Sequence, residues 1–242
     1  MTIRIYLVSG PRNISTALMY SFRQRSDTTV YDEPLYGHYL AYTGIDHPGG
    51  DEVMAIEPTD GEAAIRDIIL GDYDTPVAFF KSMGHHTLGV GLDLSFLDRV
   101  TSVFLTREPR AMLTSLVENL PEATVEMTGL PYQAELVRRI VAGGGSPIVV
   151  DSKQILLDPS SVLSELCRRI GVPWDPAMLT WPAGPKPEDG VWAKHWYATV
   201  HRSTGFAPYR EKVAELPLRY SALLEECERH YRELAPFSIV AR

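Results

Sequence analysis

Cysteine is nearly absent from this chain: among 242 residues only Cys167 and Cys227 carry thiols. Each stands in a helix-like stretch with no Cys or His at metal-ligand spacing, which argues against a disulfide framework or zinc site and for two buried thiols. Long apolar runs are missing as well. None approaches the roughly 18 residues that a membrane-spanning helix needs, and no association with a membrane is expected. The opening "MTIRIYLVSG" reads directly as a strand rather than as a basic-plus-apolar leader, so a cytoplasmic protein is expected. Positive charge is also in deficit. The formal net charge of -8 excludes a chain-wide basic footprint for nucleic acid, so any anion site must be a local cluster of Arg, Lys and backbone N–H groups. A small anionic ligand is the natural expectation.

What is present is an ordinary globular composition, 45% hydrophobic and 22% charged. A chain of this length buries roughly three quarters of its unfolded surface, and a single domain spanning 1–242 is expected. Short β-branched or aromatic runs recur at Ile3–Val8, Thr28–Tyr31, Val77–Phe80, Ser102–Thr106 and Ile148–Val150. Amphipathic segments between and after them predict helices at Ser15–Arg25, Glu62–Leu70, Pro109–Asn119, Tyr132–Ala142, Pro159–Ile170 and Pro217–Leu234. Such alternation implies an α/β fold, a mainly five-stranded parallel sheet covered on both faces as a three-layer sandwich. Residues 173–208, rich in Pro, Gly and Trp, read as a loop-rich lid over the sheet rather than a second domain.

The stretch "IRIYLVSGPRNISTALMYSF" carries the first chemical signal. A strand delivers Ser9, Gly10, Pro11 and Arg12 to the carboxyl edge of the sheet, and a helix opening near Asn13 and Ile14 aims free N–H groups at the same point. Ser15 and Thr16 add hydroxyl donors, while the Arg12 guanidinium can grip phosphate or sulfate oxygens as a fork. The Gly-Lys-[Ser/Thr] of a magnesium-ATP loop is absent: counted from Gly10, Ser15 and Thr16 stand where Gly and Lys would be.

These residues resemble the 5'-phosphosulfate loop of sulfotransferases, Pro-[Arg/Lys]-Ser-Gly-Thr-[Ser/Thr], with Asn13 and Ile14 in the Ser and Gly positions. A second segment, "VFLTREPRAMLTSL", resembles the 3'-phosphate motif of the same family: Arg107 at a strand end, Pro109 two residues on, and Ser115 eight residues after the arginine. "GPKPEDGVWAKHWY" is similar to the family's closing Gly-Asp-Trp-Lys segment, which makes Lys186 and Lys194 candidates for the 3'-phosphate and Trp192 a candidate wall of an adenosine pocket. The resemblance implies a P-loop NTPase-like fold, 3'-phosphoadenosine 5'-phosphosulfate (PAPS) as donor, 3',5'-adenosine bisphosphate as product, no metal, and a small-molecule acceptor with a hydroxyl or amine. A kinase or nucleotide hydrolase, or a non-catalytic adenosine-bisphosphate-binding protein, are the alternatives.

Transfer of a sulfuryl group needs a base for the acceptor proton. In "TVYDEPLYGHYL", Pro34 biases Glu33 toward an extended backbone where the second strand exits, and tyrosylprotein- and heparan-type sulfotransferases are similar in using a glutamate about there. The cytosolic branch instead uses His in a Lys-[Thr/Ser]-His motif. "FFKSMGHH" matches it at Lys81 and Ser82 but holds Met83 at the His position, with His85 and His86 two and three residues later. Glu33, His85 and His86 are therefore the candidate bases, and Lys81 is a candidate for stabilising the bridging oxygen. Tyr36, Tyr39, Tyr42 and Trp196 suggest an aromatic-lined acceptor cavity.

Overall fold

The computed structural model describes residues 2–118, 120–211 and 215–242. Its strands are β1 (Ile3–Ser9), β2 (Thr28–Asp32), β3 (Val77–Met83), β4 (Thr101–Thr106), β5 (Ile148–Asp151) and β6 (Ser238–Ile239). The strand order is β2-β3-β1-β4-β5-β6, and the pairs β2–β3, β4–β5 and β5–β6 are parallel. The expected α/β class with a parallel sheet holds. The sheet gains a sixth strand of two residues, too short to show any periodicity in sequence.

The helices are α1 (Ser15–Arg23), α2 (Tyr36–Thr43), α3 (Gly50–Ile56), α4 (Gly61–Ala64), α5 (Pro109–Val117), α6 (Leu130–Ala142), α7 (Ser152–Leu157), α8 (Pro159–Ile170), α9 (Ala193–Trp196), α10 (Ala198–His201) and α11 (Ser221–Leu234). Sequence chemistry sets their ends. The α8 stripe of Val162, Leu163, Leu166 and Ile170 is buried, Asp158 accepts from the Ser161 N–H at 3.0 Å, and Gly171 at φ 80° stops the helix. The helix expected over Glu62–Leu70 is instead one α-turn followed by a π-helix at Ile65–Ile69. The end of the helix expected over Pro109–Asn119 falls partly at Asn119, outside the described residues. That expected to start at Pro217 opens as a 3₁₀ turn, Leu218–Tyr220.

Two compact units divide the chain. The first holds the residues up to Leu7, Thr16–Ser102 and Asp175–Phe206; the second holds Val8–Ser15, Val103–Trp174 and Ala207–Arg242. In the first, Phe22 of α1 stacks on Phe79 of β3 at 4.4 Å between centroids. Its Pro- and Trp-rich segment is tied down by polar anchors: Tyr20 donates to Asp189 at 2.7 Å, Ser21 to the Met178 carbonyl at 2.7 Å, and Arg23 pairs with Glu188 at 2.6 Å. In the second, Val103, Phe104, Leu105, Val149 and Val150 form the buried strand centre. Both cysteines are buried, and neither forms a disulfide among the described residues. No helix among the described residues is long and apolar enough to cross a membrane.

Candidate functional site

In the second unit, β1 ends and the chain enters the 10–14 loop. Gly10 is there for close packing: a Cβ on it would stand 2.0 Å from the Thr128 carbonyl oxygen. Asn13 is buried and turns inward, donating to the Leu105 carbonyl at 3.2 Å, an oxygen that also accepts from Gln133 at 3.0 Å. Arg12 and Ile14 take left-handed backbone conformations, φ 61° and 60°. Such values cost a non-glycine residue on the order of 1–2 kcal/mol, most for a β-branched one. Ile14 thus keeps a glycine-like conformation where the resembling motif has Gly.

The two motifs meet. Arg107 Nη1 donates to the Arg12 carbonyl across 95 residues of sequence at 2.7 Å, and Arg12 Nε donates to Ser115 Oγ at 2.9 Å. Glu108 does not neutralise Arg107, because its carboxylate caps α5 by accepting from the Arg110 and Ala111 N–H groups at 2.9 and 2.8 Å. Among the described residues neither Arg12 nor Arg107 forms an ion pair. Burial and then the neighbouring Arg12 charge lower the Arg107 guanidinium from its ordinary pKa. The Asp151 and Glu108 charges act on Arg107 in the opposite sense without forming an ion pair with it, and two adjacent cations with no carboxylate in contact can take an anion. Pro11 is half-buried, Ser15 buried, and Thr16, the first residue assigned to the first unit after the loop, half-buried.

The first unit holds a different charge cluster. Asp32 and Lys81 are register partners on β2 and β3. The fully buried Lys81 ammonium donates to Asp32 Oδ1 at 2.7 Å, to Glu33 Oε1, and to Tyr197 Oη at 2.8 Å. All three of its protons are taken. Burial alone would depress its pKa, but the charges of Asp32 and Glu33 outweigh this and hold it well above the ordinary value. Burial pushes the Asp32 carboxyl up, with Lys81 pulling back and Glu33 pushing further.

Glu33 corrects one expectation. Its φ is 51°, not extended, because its N–H donates to the Lys81 carbonyl at 2.7 Å and its own carbonyl accepts from Tyr36 N–H at 3.0 Å. These bonds and the Lys81 contact override the bias from Pro34. Among the described residues Glu33 Oε2 forms no hydrogen bond, and His86 Nδ1 lies 3.7 Å from it.

His86 is stacked on Tyr36 at 4.9 Å, with Tyr39 at 4.6 Å, and His85 lies edge-on to His86 at 4.5 Å. The Nδ1 atoms of both histidines are buried without a partner. Burial first, then neighbouring positive groups, lower both imidazoles well below their ordinary pKa. They are neutral and poor proton acceptors. Tyr42 is 57% exposed, and Trp196 packs against His47 at 5.7 Å.

The third candidate segment lies in the first unit. Lys186 Nζ donates to the Pro182 and Gly184 carbonyls at 2.7 and 2.6 Å, and Lys194 pairs with Glu52 at 2.6 Å. Trp192 is buried, edge-on to Tyr36 at 5.0 Å, and donates to Tyr197 Oη at 3.1 Å. Sequence reasoning missed Tyr197 and Gln133. Gln133 left a signal, an amide at a buried position of α6; Tyr197 left none, as one aromatic among several in "VWAKHWY".

An α/β fold whose strand-end loop gathers unpaired arginines defines an anion-binding class. Residues 3–226 match the model of the sulfotransferase domain family, and the chain belongs to that family. It is 37% identical over 223 residues to the branched-chain-amino-acid aminotransferase-like protein 2 of Arabidopsis thaliana, covering 92% of this chain and 40% of that protein. The chain therefore spans about 40% of the length of the curated relatives it matches. In fold it is similar to a sulfotransferase from Alicyclobacillus acidocaldarius, with a TM-score of 0.57, 15% identity, and 98% and 95% of the two chains covered. It is also similar to the sulfotransferase domain of the curacin biosynthetic pathway, with a TM-score of 0.51, 14% identity, and 96% and 98% covered.

Proposed function

We propose that this protein transfers a sulfuryl group from PAPS to a hydroxyl, or less readily an amine, of a small-molecule acceptor. The observation that carries this is the Arg12–Arg107–Ser115 cluster, two adjacent guanidiniums with no carboxylate partner on a strained loop. Their chemistry fits the donor: fork-like cations and a hydroxyl for phosphate oxygens, with N–H groups of the 10–16 segment beside them. Gly10, Pro11, Arg12, Asn13, Ile14, Ser15 and Thr16 are assigned to the 5'-phosphosulfate side, and Arg107 and Ser115 to the 3'-phosphate.

When bound, the donor supplies the sulfuryl group: the acceptor oxygen bonds to sulfur as the bond to the bridging oxygen breaks, its electron pair leaving on the 5'-phosphate. Glu33 takes the acceptor proton on Oε2, the oxygen that Lys81 leaves free. The depressed basicity of His85 and His86 favours Glu33 over either imidazole. Lys81 then acts through Glu33, holding its carboxylate in one rotamer.

Calorimetric titration with 3',5'-adenosine bisphosphate tests the donor assignment. Micromolar binding is expected, weakened about 10- to 100-fold in Arg107→Ala, as for loss of hydrogen bonds to a charged group. Binding of ATP with magnesium but not of the bisphosphate would overturn the reading in favour of a kinase.

A further inference from the structure

We propose that Tyr197 is a positioning residue for Glu33: its phenolic oxygen locks Asp32 onto Lys81, so that Lys81 grips one oxygen of Glu33 and leaves the other free. The inference rests on the reading of Glu33 as base. All its parts lie within the first unit.

The hydrogen bonds close without remainder at the phenol. Tyr197 Oη donates to Asp32 Oδ2 at 2.7 Å and accepts from Lys81 Nζ at 2.8 Å and from Trp192 Nε1 at 3.1 Å. Asp32 Oδ2 also accepts from the Gly190 N–H at 3.4 Å. A donor to Asp32 and an acceptor from Lys81 in one atom fixes both partners, and no other hydroxyl reaches them. Burial and the Asp32 charge raise the Tyr197 pKa well above its ordinary value, so the phenol keeps the proton it donates.

Removing that hydroxyl leaves one Lys81 proton unplaced and raises the Asp32 carboxyl, which the Tyr197 bond now lowers. A protonated Asp32 no longer holds the ammonium between the two carboxylates, and Glu33 loses its fixed position. The other groups facing the cluster are His86 after β3, Tyr36 of α2, His47, Glu57, and Tyr20 of α1; each interacts with Asp32, Glu33 or Lys81. None of them changes in the test.

The test is release of sulfate and adenosine bisphosphate from PAPS, with water as acceptor, as a function of pH. Tyr197→Phe is expected to lower kcat about 10-fold or more with the KM for PAPS within about twofold, since a positioning contact acts on the transition state and not on donor binding. The acid limb of kcat is expected to move to higher pH. Asp32→Asn added to Tyr197→Phe is expected to cost less than about threefold more, because both act through one contact. An unchanged kcat and acid limb, or fully multiplicative losses in the double variant, overturns the proposal.

Should Tyr197→Phe not fold, 3,5-difluorotyrosine at 197 retains the ring and strengthens the donor. It is expected to move the acid limb to lower pH, and no movement overturns the proposal. If the unaltered protein neither binds PAPS nor releases sulfate from it, the sulfotransferase reading fails by itself. The carboxyl ¹³C titration of Asp32 then decides the lock: a midpoint raised in Tyr197→Phe supports it, and an unmoved one overturns it.

Discussion

The two units use charge in opposite ways. In the first, Lys81, Asp32 and Glu33 are buried together and satisfy one another, with Tyr197 closing the set. In the second, Arg12 and Arg107 lie beside a serine with no ion-pair partner among the described residues. Removing two charges from water is repaid only by close, hydrogen-bonded partners. The Lys81 cluster has those partners inside the protein, so its first duty is to the fold and to holding Glu33 in place. The arginine pair has no ion-pair partner among the described residues, and Arg12 is exposed, so an anion can reach it from solvent. Charge balance thus separates a positioning site from a binding site more sharply than the mere presence of cations does.

Substitution of the cation in each cluster should break the symmetry between them. Lys81→Met leaves two carboxylates buried without a cation and is expected to lose about 3–5 kcal/mol of stability, the usual consequence of removing one partner of a buried pair. Arg107→Ala, the variant that weakens bisphosphate binding, is expected to stay within about 0.5 kcal/mol of the parent in the absence of ligand. Urea unfolding of both variants measures the difference. Equal losses would mean that the arginine pair is structural, and the contrast would collapse.

Much of this contrast was legible in the sequence, and the illegible part has a physical cause. Asp32, Lys81 and Thr106 stand in or at the ends of β2, β3 and β4, close to where the apolar runs placed the strand ends, because strand ends are readable from apolar runs. The contact between Arg12 and Ser115 did not follow, since the motifs assign the two residues to different phosphates. The partners of Lys81 did not follow. Its ammonium faces Tyr197, brought in by a segment of short helices, α9 and α10, that has no periodicity to read. The partners of Lys186 and Lys194 were illegible for a related reason: a lysine in an irregular segment takes whatever carbonyls or carboxylates the local path offers, here Pro182, Gly184 and Glu52. The positive φ of Glu33 was invisible because it arises from long-range hydrogen bonds.

Acid sharpens the comparison further. His85 and His86 have folded pKa values well below the ordinary 6.5, chiefly from burial. The unfolded chain therefore binds more protons below about pH 6.5, and stability is lost as pH falls through that value, by up to about 1.4 kcal/mol per pH unit for each imidazole. Asp32 and Glu57, both raised, act in the opposite sense, gaining stability as pH falls. Unfolding free energies at pH 7.5 and 5.5 are expected to be lower at 5.5, with the gap narrowed in His85→Gln and His86→Gln. A gap that these variants leave unchanged would show that the imidazoles are already charged in the folded state.

The smallest effect tests whether the second unit holds its loop under strain for a ligand. Ile14 sits at φ 60°, where a side chain with a Cβ costs on the order of 1 kcal/mol and glycine costs almost nothing. Elsewhere alanine outranks glycine by roughly 0.5–1 kcal/mol, because glycine loses more chain entropy on folding. At residue 14 the order should invert: Ile14→Gly is expected to be more stable than Ile14→Ala by about 1 kcal/mol, both having lost the same half-buried side chain. Thermal unfolding of the two variants reads the difference directly. If alanine is the more stable, the left-handed loop is not the ground state of the free protein. If glycine wins and both variants bind the bisphosphate as the parent does, the strain belongs to the backbone path that places Arg12 beside Arg107, and the isoleucine side chain has no part in holding the anion.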